Sequence, residues 1–439
     1  MKIVFYLNIL IIIIHTINMK REDLISFIEK STCSFTCVKE IEKNFIKKGF
    51  VKLQEIDNWN LKGNKFYITR NDASIIAFEI PKDNNKSFSI ITTHLDTPSL
   101  ILKPNGAYIK NNYLKYNIMP YGGLLNYGWL DRPLSLSGRI ITKSNNKLES
   151  QVIDLKKPLL IVPSVAIHQN DQANSNLDLN MQTDMQPIIS LSNNTNTWNN
   201  ILKKAINKEI IDYDLYAYNI EQPYFIGNNK ELLISPRIDN ITSVYSSLLA
   251  FLKSKSKSIK VFCSFNSEEI GSLTKEGADS SFLMDVLKKI ASFYDMDILK
   301  SLSSSFIISS DNTHAYHPNH SEYSDDTSSP CLGKGFTIIK EINSTTNSIS
   351  SSIIKTICKK NKIKYQDATT KNDIATGSTL SGLSLRHVSV LSIDVGIAEL
   401  AMHSSYETCS YNDIVSLYKM MFAFYESNII INNNNYEIK

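Results

Sequence analysis

The chain has 439 residues, of which 42% are hydrophobic, and it carries 47 lysines and arginines against 43 aspartates and glutamates. This length and apolar content predict one or two globular domains with a sizeable core. Neither the net charge of +4 nor the six scattered cysteines indicates a nucleic-acid partner or a disulfide framework.

The first eighteen residues, MKIVFYLNILIIIIHTIN, place a lysine before a long apolar run. They are interpreted as a signal or as an upstream extension, because no small-residue cleavage site follows and Met19 offers a second start. A sequon at Asn240 adjoins a residue assigned below to the active site, where a glycan would obstruct it. A cytoplasmic protein without stable membrane association is therefore predicted, with a secretory or vacuolar location as the alternative if residues 1–18 act as a signal.

Two amphipathic helices are predicted near the start of the chain. They cover Arg21–Lys30 and Val38–Lys48, and Gly49 closes the second. The segments KFYITR, SIIAFEI and SFSIITTHLD follow, and their β-branched and aromatic residues predict strands.

Residues 97–229 differ from the rest of the chain in sequence pattern, because they contain short strand-like segments and no clear βαβ unit. They predict a mostly β domain inserted into an α/β domain made of residues 19–96 and 230–439. The Asn-rich tract LSNNTNTWNNILKKAINK and the segment SEYSDDTSSP are expected to be flexible surface loops.

Helices and strands alternate after the inserted region. Helices are predicted at Asp239–Lys253 and Tyr411–Ser427. Strands are predicted at IKVFCSF, at residues 306–308 and at HVSVLSIDVG. This βαβ rhythm predicts an α/β fold class.

Five short motifs place polar side chains at the ends of apparent strands. The motifs are THLDTPS, SPRIDN, NSEEIGS, SSDNTHAYH and AMHS, and they supply His94, Asp96, Asp239, Glu268, Glu269, Asp311 and His403. Each motif alone would more often be ordinary polar surface. Because ligands bind at the carboxyl ends of strands in open α/β sheets, the five are expected to converge at one sheet edge. Two imidazoles and several carboxylates are a ligand set for two divalent metals of the zinc or manganese kind.

Spacing within these motifs indicates how the side chains could work. On a strand, His94 and Asp96 face the same way, so Asp96 can take the second imidazole proton and fix the tautomer. Glu268 and Glu269 can both reach one site only if their strand ends there, and Gly271 permits such a turn. One glutamate can then bind metal while the other holds a proton, which suits two-metal hydrolysis. No Walker, GxGxxG, GxSxG or HExxH motif offers a competing chemistry.

Eight blocks of sequence, in order, resemble the aspartyl aminopeptidase family of dinuclear zinc metallopeptidases. They include WNLKGNKFYITRNDASIIAF, YGGLLNYGWLDRPLSLSGRI, VPSVAIH, KNDIATGSTL and AELAMHS, and the likeness runs from about Leu24 to the last helix. The resemblance implies a mixed-sheet zinc-peptidase domain with helices on both faces, interrupted by an inserted β-rich dimerisation domain. It also implies a homo-oligomer, a tetrahedral dodecamer built from dimers.

The resemblance further implies two divalent metal ions, zinc at both sites or manganese or cobalt at one. His94 and Asp311 would hold one ion. Glu269 and His403 would hold the other, with Asp239 bridging the two.

Other roles are implied in the same way. Glu268 would be the general base, and Asp96 would orient the imidazole beside it. His314 and Lys340 match positions that line the substrate pocket. His168 matches a histidine that the family's inserted domain presents to the active site of a neighbouring subunit.

The implied activity is removal of acidic N-terminal residues, Asp or Glu, from peptide substrates. A related aminopeptidase of neutral or broader specificity is the first alternative. A non-catalytic scaffold is the second, but it would require lost ligands and none is lost. Asn266 and Ser267 replace the family's Asp-Asn, and Asn343–Ser350 lacks its Arg-Tyr pair, which leaves the strictness of the acidic preference open.

Overall fold

A computed structural model of the chain describes residues 19–439 except 84, 85, 176, 376, 378, 379, 433 and 434. The upstream segment predicted at residues 1–18 lies outside this range. No helix in the described range is long and apolar enough to cross a bilayer. The α-helices of this range are α1 Arg21–Lys30, α2 Ser34–Lys47, α3 Asn196–Ala205, α4 Ile238–Lys253, α5 Phe282–Phe293, α6 Ile298–Ser303, α7 Ser348–Asn361, α8 Leu380–Ser384 and α9 Tyr411–Glu426.

The strands of the described range form four sheets. In chain order they are β1 Val51–Lys52, β2 Lys65–Arg70, β3 Ser74–Glu79, β4 Phe88–His94, β5 Ser99–Lys110, β6 Tyr113–Tyr121, β7 Leu134–Ser144, β8 Lys147–Asp154, β9 Ile188–Leu191, β10 Glu209–Asn219, β11 Tyr224–Ile226, β12 Leu232–Ser235, β13 Ile259–Phe265, β14 Phe306–Ser310, β15 Thr313–His314, β16 Phe336–Ile339, β17 Tyr365–Ala368, β18 Leu391–Gly396, β19 Ala398–Leu400, β20 Glu407–Ser410, β21 Ile429–Asn432 and β22 Asn435–Ile438.

The largest sheet has nine strands in the order β1-β2-β3-β13-β4-β14-β18-β16-β17. Its central strands β13, β4, β14 and β18 are parallel neighbours, while β2, β3 and β16 include antiparallel pairings. The carboxyl ends of the four central strands therefore meet at one edge of the sheet.

Helices cover both faces of this sheet, as the resemblance implied. Successive side chains of β3 point to opposite faces of the sheet. Ile75 and Ala77 belong to the hydrophobic core on one face, and Ile76 and Phe78 belong to the core on the other. The first core packs under α1, α2, α4, α7 and α9, and the second packs under α5, α6 and α8. Burial on both faces explains why these strands read as continuous apolar runs.

The remaining strands of the described range form a five-stranded sheet, a two-stranded hairpin and a six-stranded sheet. A five-stranded sheet has the order β11-β12-β20-β19-β15, and β21 and β22 form a hairpin near the end of the chain. Strands β5 to β10 form a six-stranded sheet between Ser99 and Asn219, with a core of its own. This separate sheet and core support the proposal of an inserted domain at residues 97–229.

Most predicted elements occur where the sequence placed them, with three differences. The strand predicted at HVSVLSIDVG begins only at Leu391. Helix α2 begins at Ser34 instead of Val38, because Cys33 and Thr36 form a capping box that hydrophobic spacing does not reveal. The prediction of a loop for the whole Asn-rich tract is wrong, since α3 lies within it. Trp198 and Leu202 bury one face of α3, and this packing outweighs the weak helix propensity of asparagine.

Candidate metal centre

Three of the predicted side chains come from the central strands of the nine-stranded sheet. His94 is the last residue of β4, Asp311 follows β14, and Glu268 begins a 3-10 turn after β13. Because these strands are parallel neighbours, their carboxyl ends lie together. The three side chains offer ligand atoms that all lie within 4.8 Å of one another.

A second group consists of Asp239, Glu269 and His403, with ligand atoms that also lie within 4.8 Å of one another. Asp239 follows β12, and His403 follows β19 in a left-handed turn with φ of 65°. Both strands belong to the five-stranded sheet. The prediction that all five motifs converge at the edge of one sheet is therefore wrong, because two sheets meet at the site.

Asp239 lies between the two groups. Its Oδ1 is 3.5 Å from His94 Nε2, and its Oδ2 is 3.3 Å from His403 Nε2. His94 Nε2 is also 3.1 Å from Asp311 Oδ1, and His403 Nε2 is 3.6 Å from Glu269 Oε2. One carboxylate thus faces both imidazoles, which is the arrangement required of a bridging ligand.

Two oxygens at the centre of the site fit a bound cation. Asp239 Oδ1 and Glu269 Oε1 are buried and accept no hydrogen bond from any described residue. Buried carboxylate oxygens are normally paired, because an unpaired one loses its hydration without compensation. Carboxylate and imidazole ligands in this number suit zinc or manganese, so the residues fit the metals that the sequence indicated.

The electrostatics of the site agree with this fit. Burial and the neighbouring Asp311 raise the pKa of Glu268 to about 8. Burial lowers the pKa of His403, but Asp239 and Glu269 outweigh it and raise the pKa to about 10. Burial also raises the pKa of Glu269 well above its usual range. The carboxylates therefore favour positive charge at the centre of the cluster, which is the charge that bound cations would supply.

Backbone carbonyls orient both imidazoles. His94 Nδ1 lies 3.0 Å from the peptide oxygen of Asp96, and His403 Nδ1 lies 2.8 Å from the peptide oxygen of Gly123. Each Nε2 is thereby left to face the carboxylates.

The carboxylate of Asp96 does a different job from the one predicted for it. Its Oδ1 is 3.7 Å from His94 Nδ1, farther than the peptide oxygen. It accepts hydrogen bonds from the Tyr121 hydroxyl at 2.8 Å and from the amides of Glu268 and Glu269 at 3.2 and 3.1 Å. Asp96 therefore fixes the turn that carries the two glutamates. The predicted pairing with the imidazole assumed that the strand continues to Asp96, but β4 ends at His94, so the side-chain alternation stops there.

The run Tyr121–Gly123, at the end of β6, contributes to the site although its sequence indicates no role. Besides the contacts of its tyrosine and its carbonyl, Gly122 has a φ of +74°, and a Cβ there would lie 3.0 Å from Glu269. A side chain at this position would be strained and would press on a ligand.

Glu407 is a second residue that the sequence did not reveal. Its buried carboxylate accepts the amides of Ile238 and Asp239 at 2.7 and 3.1 Å and that of His403 at 2.8 Å. It thereby holds the two ligands of the five-stranded sheet in place. Nothing in the local sequence distinguishes it from an ordinary strand residue.

A cleft of about 640 Å³ is lined by residues close in the chain to two candidate ligands, namely Thr313 and His314 after Asp311 and Met402 before His403. Its polar lining includes His314, Glu341, Lys371 and Asp373. Lys371 is paired with Asp373 at 3.1 Å. Glu341 forms no ion pair with a described residue and accepts a hydrogen bond from Thr370.

Lys340 is not among the residues that line this cleft. It is the first residue after β16, and Glu341 follows it. The Lys340 side chain is exposed. The fold gives no support to its predicted contact with substrate, and Glu341, the next residue, lines the cleft instead.

His168 lies on an exposed loop of the inserted region, outside both ligand groups and outside the cleft. Four exposed apolar side chains line a groove of about 650 Å³ on the same loop region, namely Tyr127, Val165, Ile167 and Leu177. Apolar groups exposed together in this way are typical of a surface that contacts another protein.

Comparison with known proteins finds one family whose model matches most of the chain. The family described as aminopeptidase I zinc metalloprotease (M18) matches residues 27–425. A probable M18 family aminopeptidase 2 from Clostridium novyi is 38% identical over 422 residues, which cover 92% of this chain and 98% of the relative.

Solved structures show the same fold. A chain from the complex of Ape4 and Nbr1 superimposes with a TM-score of 0.87 at 30% identity, covering 92% of this chain and 85% of that one. The mApe1 dodecamer from S. cerevisiae superimposes with a TM-score of 0.80 at 24% identity, covering 92% of this chain and 96% of that one.

Proposed function

The chain belongs to the M18 family of zinc aminopeptidases, and from this premise we propose that it removes N-terminal residues from peptides by two-metal hydrolysis. The placement of Asp239 carries the proposal, since its two oxygens face the imidazoles of both ligand groups. His94 and Asp311 would hold one cation, and Glu269 and His403 would hold the other.

Glu268 is the general base in this proposal. When bound, two divalent cations lower the pKa of a water and polarise the substrate carbonyl. Glu268 forms no ion pair with a described imidazole, whereas Glu269 Oε2 lies 3.6 Å from His403 Nε2. Glu269 is therefore the ligand, and Glu268 takes the proton of the water and passes it to the leaving amine.

Metal analysis with an activity assay tests the proposal. Purified protein should contain two divalent cations per chain and should hydrolyse aminoacyl substrates. A chelator should abolish hydrolysis, and zinc, manganese or cobalt should restore it. Full activity in protein stripped of metal would contradict the proposed reaction.

For substrate class, we propose acidic N-terminal residues, as the resemblance implies. His314 supports this proposal because it lines the cleft three residues beyond Asp311 and can donate a hydrogen bond to a carboxylate. We also propose a cytoplasmic location, because a glycan at the Asn240 sequon would obstruct the adjoining site.

Glu341 favours the second candidate, an aminopeptidase of neutral or broader specificity. Its carboxylate lines the cleft without a cationic partner, so it repels an acidic substrate side chain. The cationic charge of Lys371 is already compensated by Asp373, so it does not offset this repulsion.

Glu341→Gln is expected to raise kcat/KM for Asp-initiated peptides relative to Leu-initiated ones by about threefold to tenfold, because it removes a like charge at short range. The measurement is kcat/KM on matched Asp-, Glu- and Leu-initiated substrates. Lys340→Ala is the control and should leave the ratio unchanged. A large fall of the ratio in Lys340→Ala would restore the role assigned to that lysine by resemblance.

For assembly, we propose a homo-oligomer, a dodecamer built from dimers, in which the inserted region forms contacts between subunits. The exposed apolar groove beside His168 supports this proposal, and so does the dodecameric assembly of the similar mApe1. His168 would then reach the active site of a neighbouring subunit.

Activity is accordingly expected to depend on assembly. Ile167→Asp places a charge in the apolar groove and should yield smaller, folded, metal-bound species with activity reduced in step with the loss of large oligomers. Size-exclusion chromatography with light scattering, followed by assays of each fraction, measures this. His168→Ala should lower kcat without changing the assembly. Fully active dimers would exclude a contribution from the neighbouring subunit.

A further inference from the structure

A small cavity of about 20 Å³ lies beside the metal centre, where the nine-stranded sheet, the inserted sheet and α2 meet. Its lining includes Cys33, Ser34, Asp96, Tyr216 and Arg237, and most lining residues are buried. A space of this size holds a single water or one monatomic ion. Asp96 and Glu407 in this lining support the metal-binding turns, but no candidate metal ligand lines the cavity.

Arg237 supplies a buried positive charge to this cavity, and its guanidinium lies over the Tyr218 ring, 5.4 Å from the ring centroid. The residue is only 9% exposed, and its guanidinium forms no ion pair with a described carboxylate. Its two terminal nitrogens donate to the peptide oxygens of Asn219 and Ile28, each at 3.3 Å, while its Nε is buried without an acceptor. A buried charge in this state is costly unless an anion accompanies it.

The start of α2 adds a second positive contribution. Cys33 is the N-cap residue and Ser34 is the first helical residue, and both line the cavity. The first turn contains no acidic side chain. The partial positive charge of a helix N-terminus therefore acts on the same space as the guanidinium.

The two carboxylates in the lining do not neutralise Arg237. Both oxygens of Asp96 accept hydrogen bonds, from the Tyr121 hydroxyl and the amides of Glu268 and Glu269. Both oxygens of Glu407 likewise accept backbone amides. These hydrogen bonds tie both carboxylates to the turns that carry the candidate ligands.

We propose that the cavity binds one halide ion, chloride under ordinary conditions, against Arg237 Nε and the N-terminus of α2. The ion completes the hydrogen bonding of the guanidinium and neutralises its charge. Because Arg237 and Asp96 border both the cavity and the metal ligands, the bound anion stabilises the junction between the two sheets and the inserted region.

Bromide anomalous diffraction tests the proposal directly on the metal-loaded wild-type protein. Crystals grown with bromide in place of chloride should give an anomalous peak inside this cavity, beside Arg237 Nε. A water in the cavity with no bromide peak, while bromide occupies sites elsewhere, would overturn the proposal.

Thermal unfolding gives a second, independent measurement. Replacing gluconate by chloride at constant ionic strength should raise Tm by about 2 °C when chloride is at about ten times its Kd. Arg237→Gln should lose this response, and Arg132→Gln, which removes an arginine paired with Glu221 at 3.1 Å, should keep it. Equal responses of the two variants would refute the site. If Arg237→Gln does not fold, the bromide experiment on the wild type still decides.

Discussion

Glu268→Gln is expected to lower kcat by at least about a hundred-fold while the protein keeps both cations and its assembly. The glutamine has nearly the same shape but cannot carry the proton from the water to the leaving amine. Burial and Asp311 raise the pKa of the Glu268 carboxyl to about 8, which shows that its surroundings favour a proton at this position. Steady-state kinetics and metal analysis of the same preparation measure the effect.

Glu269→Gln is the matched comparison, because the two residues are adjacent in one 3-10 turn. It should lose a cation, since Glu269 faces His403 at 3.6 Å in the second ligand group. The opposite result, a cation lost in Glu268→Gln and retained in Glu269→Gln, would reverse the two assignments.

Asp239→Asn should weaken both cation sites together. The substitution removes the charge that faces His94 and His403 from opposite oxygens, and its amide group would point an N–H at one of the places where a cation binds. Loss of a supporting partner outside the ligands typically costs 10- to 100-fold in metal affinity, so loss of this shared ligand should cost about a hundred-fold or more. Chelator competition, with the metal content measured after dialysis, reads out the change.

Asp311→Asn provides the control for this prediction. Asp311 belongs only to the group with His94 and Glu268, so this variant should release one cation and retain the other. Loss of a single cation in Asp239→Asn, with the second bound as tightly as in the wild type, would show that Asp239 does not bridge.

The local sequence was sufficient to predict the central strands and to select the polar side chains that the fold brings together. Strands β4, β13 and β14 read as apolar runs because both of their faces are buried, and polar motifs directly after such runs mark the sheet edge. The turn at Glu268 and Glu269 was also predictable, since adjacent residues can share a site only beyond the end of a strand, and Gly271 has the expected positive φ of 90°.

Features that depend on distant pairing required the tertiary structure. The second sheet that carries Asp239 and His403, and the support from Tyr121 and Glu407, depend on contacts between segments far apart in the chain. The presence of Glu341 in the cleft lining, in place of Lys340, depends on how the segment after β16 packs, which its residues do not encode. Hydrophobic periodicity and residue chemistry therefore determined what the site contains. The direction and partners of each strand are set by packing across the whole chain, and they decided which neighbouring groups hold each ligand in place.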